Sequence, residues 1–153
     1  MNYWIFKSEP DTFSIDDLKN RPGQTEPWNG VRNYQARNFL RDDVKEGDLI
    51  LFHHSSCKVP GIAGIAIVSK EAYPDHTAFD ESSDYFDLKS KKDSPTWFMV
   101  DVKFVEKFKE VITLKEIKEN PKFNDLILTR KGNRLSIMPI SEKEFNELKK
   151  LRS

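Results

Sequence analysis

Segments patterned as β-strands are interrupted by short helical segments, without a regular strand–helix alternation. The clearest strand covers residues 97–108, where the apolar residues of one face are Phe98, Val100, Val102 and Phe104. Further strands are predicted at residues 3–7, 48–53, 61–70, 126–128 and 135–140. A doubly wound parallel sheet requires regular alternation, so the pattern predicts a mixed α+β fold around a curved sheet or small barrel.

Three helix starts carry the same capping signature, a Ser or Thr followed three residues later by an acidic residue. They are Ser14 with Asp17, Thr113 with Glu116, and Ser141 with Glu144. The first helix should end at the turn of residues 20–23, the second before Pro121, and the third at the C-terminus. A fourth helix is predicted over residues 33–41. The segment 73–95 is predicted to be a long loop with short turns.

Composition limits the class of protein. The 153 residues favour a single domain over residues 1–153. The 25 basic and 25 acidic residues give a formal net charge of zero, which excludes a globally basic coat for nucleic acid and leaves only a local patch. No apolar run approaches the roughly 18 residues of a membrane span. We therefore expect an intracellular protein, cytoplasmic or, in a eukaryote, nuclear, with no membrane partner.

The residue types also argue against a metal centre. Cys57 is the only cysteine, which excludes an internal disulfide and a cysteine-rich zinc site. Adjacent side chains on a strand point to opposite faces, so His53 and His54 are not expected to bind one metal ion. We therefore expect neither a metal nor a cofactor.

Residues 28–38 combine aromatic rings, amides and arginines where a loop meets a helix. Trp28 provides a ring for stacking, Asn33 provides an amide that can read the edge of a base, and arginines can contact phosphate. An exposed helix on which Trp28 is a hydrophobic lid would have the same residue types. The segment therefore leaves a nucleobase site and this structural role as alternatives.

Lys7, Ser8 and Glu9 form a second polar group at the end of the first predicted strand. Lys7 and Glu9 should share a face if the strand extends to them, and they could equally form a surface ion pair worth at most about 1 kcal/mol. Another predicted strand ends in the polar residues 53–56, which could line the same mouth.

Six motifs together resemble the EVE domain family of the PUA-like superfamily. They cover nearly the whole chain: residues 4–10 (WIFKSEP), 28–40 (WNGVRNYQARNFL), 51–64 (LFHHSSCKVPGIAG), 72–74 (AYP), 97–102 (WFMVDV) and 134–139 (RLSIMP). The resemblance implies a PUA-like pseudo-barrel of mixed strands with short helices packed around it. It also implies a pocket that takes a modified nucleobase from DNA or RNA.

The same resemblance implies which residues surround the pocket. By their places in the motifs they are Lys7, Ser8, Glu9, Trp28, Val31, Arg32, Asn33, Tyr34, Phe52, His53, Ser55 and Ser56. Trp28 is the expected stacking ring, and Val31 or Ile62 is the expected apolar wall for a methyl group. Two basic groups are expected to contact phosphate: Arg32, Arg37 and Arg41, and Arg130, Lys131 and Arg134.

The expected function is non-catalytic binding of a methylated or hydroxymethylated base in DNA or RNA. Such a base must leave the helical stack, which costs a few kcal/mol, and aromatic stacking in the pocket returns roughly 1–3 kcal/mol. The alternative is a hydrolase that resembles the distantly related ASCH group and acts on modified nucleosides or nucleic acid. In that hypothesis Lys7 activates a nucleophile, Glu9 moves protons and Ser8 supplies a hydroxyl.

Overall fold

The computed structural model describes residues 1–152, and its centre is one mixed six-stranded sheet. The strands are β1 (Tyr3–Ser8), β2 (Thr25–Pro27), β3 (Leu49–His54), β4 (Gly61–Pro74), β5 (Phe98–Thr113) and β6 (Ile137–Ile140). Their spatial order is β2-β5-β4-β3-β1-β6. β1 is parallel to β3, and the other neighbouring strands are antiparallel. Among the described residues β2 and β6 form the two edges, so the sheet is not closed.

Short helices surround the sheet, as the strand–helix pattern predicts. They are α1 (Ile15–Lys19), α2 (Tyr34–Asn38), α3 (Leu114–Glu119) and α4 (Glu142–Lys150). The predicted helix over residues 33–41 is divided, because α2 passes into a π-helical turn at Phe39–Asp43. The mixed α+β class is confirmed. The domain expected over residues 1–153 includes Ser153, which lies outside the described residues.

Two of the three predicted capping boxes are confirmed. The Ser14 hydroxyl accepts from the Asp17 amide, and the Asp17 carboxylate accepts from the Ser14 amide. Ser141 and Glu144 repeat this exchange at the start of α4. At α3, Thr113 caps the helix, but the Glu116 carboxylate pairs with Arg152 instead of completing the box. None of the helices within residues 1–152 has both the length and the apolar character needed to cross a membrane.

The predicted strand at residues 126–128 is wrong. Ile127–Thr129 forms a 3-10 turn, in which the Thr129 hydroxyl donates to the carbonyl oxygen of Leu126 at 2.8 Å. Leu126 and Leu128 are buried in the core, and burial explains their apolar character equally well in a turn or a strand. The short strand β2, which pairs with β5, has no predicted counterpart.

Two apolar clusters cover the two faces of the sheet, because successive side chains on a strand point to opposite sides. Trp4, Phe6 and Phe52 belong to the first cluster. Their neighbours Ile5 and Leu51 belong to the second cluster, which α3 and α4 cover. Trp28 packs on the first cluster, so the segment that follows β2 is anchored beside the ends of β1 and β3.

Candidate functional site

A cleft with two adjoining lobes opens at the end of β1, and we call it the Trp28 cleft. Both lobes are lined by Ser8, Thr12, Trp28, Asn29 and Tyr85. The first lobe, of about 220 Å³, is further lined by Phe13, Arg21, Glu26 and Pro27. The second lobe, of about 310 Å³, is further lined by Lys7, Glu9, Gly30, Val31, Arg32, Asn33 and Ser136. The cleft is large enough for a small planar ligand, since small-molecule sites begin at roughly 300 Å³.

The indole of Trp28 is held in place by three aromatic neighbours. Its ring centroid lies 5.3 Å from that of Phe52, 5.4 Å from that of Phe6 and 6.1 Å from that of Phe13. The side chain is only 6% exposed, yet it lines both lobes. Its Nε1–H has no hydrogen-bond partner among residues 1–152 and is not sealed from solvent. Trp28 is therefore a core residue that also lines the cleft and whose indole N–H has no partner in the described chain.

The backbone of the cleft segment is fixed by the fully buried carboxylate of Asp75. Its Oδ2 accepts from the Gly30 amide at 2.8 Å and from Arg32 Nη1 at 3.1 Å. Thr77 donates to Oδ1 through its amide and its hydroxyl. Burial alone would raise the pKa of Asp75, but the hydrogen bonds from Thr77, Gly30 and Arg32 hold this pKa below its ordinary value. The carboxylate is thus charged and fully used in holding the loop.

Tyr85 forms a wall of the cleft that the sequence did not identify. Gly30 has a φ of +82°, and a β-carbon there would lie 2.6 Å from Tyr85 Cζ, so glycine lets the ring approach the loop. Arg32 Nη2 donates to the Tyr85 carbonyl at 2.7 Å, and the guanidinium lies 5.6 Å from the ring centroid. Tyr85 comes from the long connection between β4 and β5, where the sequence predicts only a long loop with short turns.

Three predicted polar residues reach the second lobe with different capacities for hydrogen bonding. The Ser8 hydroxyl donates to the Phe13 carbonyl at 2.8 Å. Asn33 Oδ1 caps α2 by accepting from the Ala36 amide at 2.9 Å, which leaves Nδ2 without a partner in the described chain. The exposed carboxylate of Glu9 also has no partner there. The lobe therefore combines a carboxylate acceptor with amide and indole donors.

Six residues expected to line the pocket are not brought to the cleft, and one of them, Tyr34, lies exposed at the start of α2. Phe52 lies behind Trp28 in the core, and Ile62 is buried in the second cluster, on the opposite face of the sheet. Ser55 and Ser56 follow β3. The Ser55 amide contacts a cleft residue, because it donates to the Ser8 carbonyl at 3.0 Å. Of the two residues expected as the apolar wall, Val31 is buried and lines the second lobe, whereas Ile62 does not.

His53 is the last of these six residues, and it is enclosed. It is 1% exposed, and both ring nitrogens are buried without a hydrogen-bond partner among residues 1–152. Burial, with the nearby charges of Lys7 and His54, lowers the pKa of His53 to about 3. The ring is therefore neutral at pH 7. No group of three or more His, Cys, Asp or Glu side chains in the described part of the chain is arranged to hold a metal ion.

The first group of arginines is largely committed to contacts within the protein. Arg32 bonds Asp75, Thr77 and Tyr85, so it holds the cleft together instead of offering a free phosphate site. Arg37 donates to the Thr96 carbonyl at 2.7 Å, and Arg41 pairs with Asp42 at 2.8 Å. The second group is exposed and has no side-chain partner among residues 1–152: Arg130, Lys131 and Arg134.

Residues 2–151 match the model of the EVE domain. Human thymocyte nuclear protein 1 is 47% identical over an alignment of 163 positions, and this alignment covers 95% of this chain and 71% of the relative. A crystal structure of human THYN1 protein in complex with 5-methylcytosine-containing DNA has a TM-score of 0.92 and 45% identity, covering 100% of this chain and 98% of that one.

A crystal structure of a Pseudomonas syringae protein has a TM-score of 0.94 at 48% identity and covers 99% of both chains. An ASCH protein from Zymomonas mobilis has a TM-score of 0.56 at 11% identity, covering 100% of both chains. At that identity the ASCH likeness shows a related fold and nothing about activity.

Proposed function

Because this chain belongs to the EVE domain family, we propose that it binds DNA carrying a methylated or hydroxymethylated cytosine and accepts the flipped base in the Trp28 cleft. The observation that carries the proposal is a cleft wall formed by Trp28, whose ring is fixed and whose indole N–H is free. The complex of a relative with 5-methylcytosine-containing DNA supports this choice of ligand. The proposed activity is binding without catalysis.

The hydrogen-bonding groups of the second lobe match cytosine better than thymine. Cytosine offers an amino donor, which the Glu9 carboxylate can accept, beside ring acceptors that Asn33 Nδ2 and Trp28 Nε1 can meet. Thymine places a carbonyl oxygen where cytosine has its amino group, so two acceptors would face each other. An acceptor that loses its water on binding without gaining a donor is costly, and this cost gives the site a means of rejecting thymine.

The methyl group itself contributes only modest selectivity. Burying one methyl group against Val31 is worth roughly 0.8 kcal/mol, or about a fourfold gain in affinity. Unstacking the base costs a few kcal/mol, and stacking on Tyr85, the other aromatic residue that lines both lobes, would return roughly 1–3 kcal/mol while Trp28 donates to the edge of the base. We therefore expect several-fold preference for modified over unmodified cytosine, not an absolute requirement.

Attraction to the DNA backbone comes from a local patch, since the formal net charge is zero. Arg130, Lys131 and Arg134 are exposed and unpaired in the described chain, and Ser136, which lines the second lobe, follows closely. Phosphate contacts from this patch would position the duplex and make binding sensitive to salt.

The proposal is tested by fluorescence-anisotropy titration with short duplexes that differ at one central position: cytosine, 5-methylcytosine, 5-hydroxymethylcytosine or thymine. We expect the tightest binding with a modified cytosine and the weakest with thymine. The same titration with single-stranded RNA carrying the modified base separates DNA from RNA as the partner. Equal or negligible affinity for all these oligonucleotides would contradict the proposal.

A matched pair of variants locates the site. Trp28→Phe keeps an aromatic ring but removes the N–H, so we expect weaker binding and reduced selectivity for cytosine. Trp4→Phe is the control, because Trp4 lies in the same cluster but its Nε1–H donates to Asp48 at 3.0 Å, outside the cleft. If the two variants bind DNA equally well, the base does not enter the Trp28 cleft.

The hydrolase alternative has one observation in its favour. Burial, with the charge of Lys118 nearby, lowers the pKa of Lys7, as expected for an amine that acts as a base. Against it, no hydrogen bond or ion pair within residues 1–152 joins the side chains of Lys7, Ser8 and Glu9, and the Ser8 hydroxyl donates to Phe13. Mass spectrometry after incubation with modified nucleosides and oligonucleotides decides: a product lost in Lys7→Ala would establish the hydrolase.

A further inference from the structure

Tyr34 lies just outside the Trp28 cleft and is highly exposed. It is the first residue of α2 and follows Asn33, which lines the second lobe. Its exposed fraction is 62%, although it stacks on Trp97 with a centroid distance of 5.0 Å and an interplanar angle of 28°. An exposed ring that is nevertheless held in a fixed orientation offers a ready stacking surface.

Trp97, on which Tyr34 stacks, is connected to residues that line the Trp28 cleft. Trp97 is buried, and its Nε1–H donates to Asp87 Oδ2 at 2.7 Å. The Arg32 guanidinium lies 5.3 Å from the Trp97 centroid and also bonds Asp75 and Tyr85 of the cleft wall. The position of the Tyr34 ring is therefore tied to the position of the cleft.

The outer face of Tyr34 is open. The Arg37 guanidinium lies 5.2 Å from the Tyr34 centroid and 6.0 Å from the Trp97 centroid. An arginine on the face of Tyr34 opposite Trp97 would lie much farther from Trp97, so Arg37 sits beside the stacked pair. One aromatic face thus points away from the protein, with a positive charge at its side.

Resting on the function proposed above, we infer that the outer face of Tyr34 stacks on the base next to the flipped nucleotide. When a base leaves the duplex, its neighbours lose a stacking partner, and an adjacent aromatic ring can replace it. Arg37 lies at the side of the ring, and its Nη2, which has no partner in the described chain, could donate to the phosphate that follows each base. Stacking does not depend on the modification, so Tyr34 contributes affinity, whereas the cleft contributes selectivity.

Two substitutions at this exposed position separate the ring from the hydroxyl. Tyr34→Ala is expected to weaken binding about tenfold for duplexes with 5-methylcytosine and with cytosine alike, leaving their ratio unchanged. Tyr34→Phe keeps the ring and should bind as the wild type does. Val105→Ala is the control, since it truncates another exposed apolar side chain, 48% exposed, on β5.

A fluorescent base reports the stacking directly. With 2-aminopurine next to the modified cytosine, fluorescence should stay quenched in complexes with the wild type and Tyr34→Phe, and should rise with Tyr34→Ala. If the wild type distinguishes modified from unmodified DNA but Tyr34→Ala changes neither affinity nor fluorescence, this inference alone is overturned. If the wild type does not bind modified DNA, the proposed function fails and this inference fails with it.

Discussion

The ring of Tyr85 lies directly against Gly30, and a β-carbon at position 30 would come within 2.6 Å of Tyr85 Cζ. The two residues are far apart in sequence, and their contact joins the loop after β2 to the connection between β4 and β5. Because Tyr85 lines both lobes of the Trp28 cleft, this contact holds one of the cleft walls in place.

Gly30→Ala is predicted to weaken DNA binding and to destabilise the fold. The left-handed backbone alone costs roughly 1–2 kcal/mol for a residue with a β-carbon, and the new methyl group must also displace Tyr85. Gly47→Ala is the matched control, because Gly47 has a φ of +91° but no neighbour within 4 Å of a β-carbon, and it lies outside the proposed DNA-contacting residues. Urea unfolding and anisotropy titration should show a larger loss at position 30; equal losses would contradict the role of Tyr85.

Asp75→Asn is predicted to lower the free energy of unfolding by about 2–3 kcal/mol. The substitution leaves Arg32 without its counter-ion, and breaking a buried pair costs roughly 3–5 kcal/mol; the Arg32 side chain is 23% exposed, so we expect less. Asp16→Asn breaks the exposed pair with Lys107 and should cost no more than about 1 kcal/mol. Urea unfolding of both variants tests the difference, and similar values for the two would be inconsistent with a structural role for Asp75.

His53 is predicted to make the fold less stable in mild acid. Its pKa is about 3 in the folded protein and ordinarily 6.5, so between these values the unfolded chain binds a proton that the folded chain does not. Above pH 6.5 the ring is neutral in both the folded and the unfolded chain, so it does not lower stability. Between pH 6.5 and about pH 3 the free energy of unfolding falls by about 1.4 kcal/mol for each unit of pH.

His53→Leu removes this contribution and also the two buried nitrogens that lack partners. We expect the variant to be at least as stable as the wild type at pH 7, and its advantage to grow by about 2 kcal/mol by pH 5. Denaturant unfolding at several pH values gives the free energy of unfolding against pH for the wild type and for His53→Leu. Parallel curves would show that His53 is protonated or hydrogen-bonded in the folded protein.

Neutralising the second basic patch is predicted to reduce the salt dependence of binding without changing selectivity. Each lost phosphate contact should lower the slope of log affinity against log salt by about 0.9. Lys131→Gln and Arg134→Gln test the patch, and Lys143→Gln, an exposed lysine on α4, is the control. An unchanged slope in both patch variants would place the DNA on another surface.

The strands and the helix caps could be predicted because they depend on residues close together in sequence. The alternation in residues 97–108 becomes β5, and the capping boxes of Ser14 and Ser141 form as expected. The apolar residues 126–128 were assigned to a strand because burial alone does not distinguish a strand from a buried turn.

Much of the candidate site could not be predicted in this way. Asp75 and Tyr85 reach the loop at Gly30 and Arg32 from more than 40 residues away, and no local pattern in residues 73–95 records that contact. Likewise, His53 is expected at the mouth because it belongs to the polar end of an otherwise apolar strand, but its ring is enclosed. Trp28, by contrast, was identified from residue type and lines the cleft, although its role in binding stays a prediction.

The Arg32 guanidinium lies within 6 Å of two aromatic rings, those of Tyr85 and Trp97, and Trp97 in turn carries Tyr34. Such an interlocked set has little freedom left to lose, so the receptor is preorganised and association should require little rearrangement of the protein. In the proposed function, the main cost in free energy is then the deformation of the DNA that base flipping requires. A rigid receptor of this kind would favour sites where the double helix is already soft, such as pyrimidine–purine steps and mismatches.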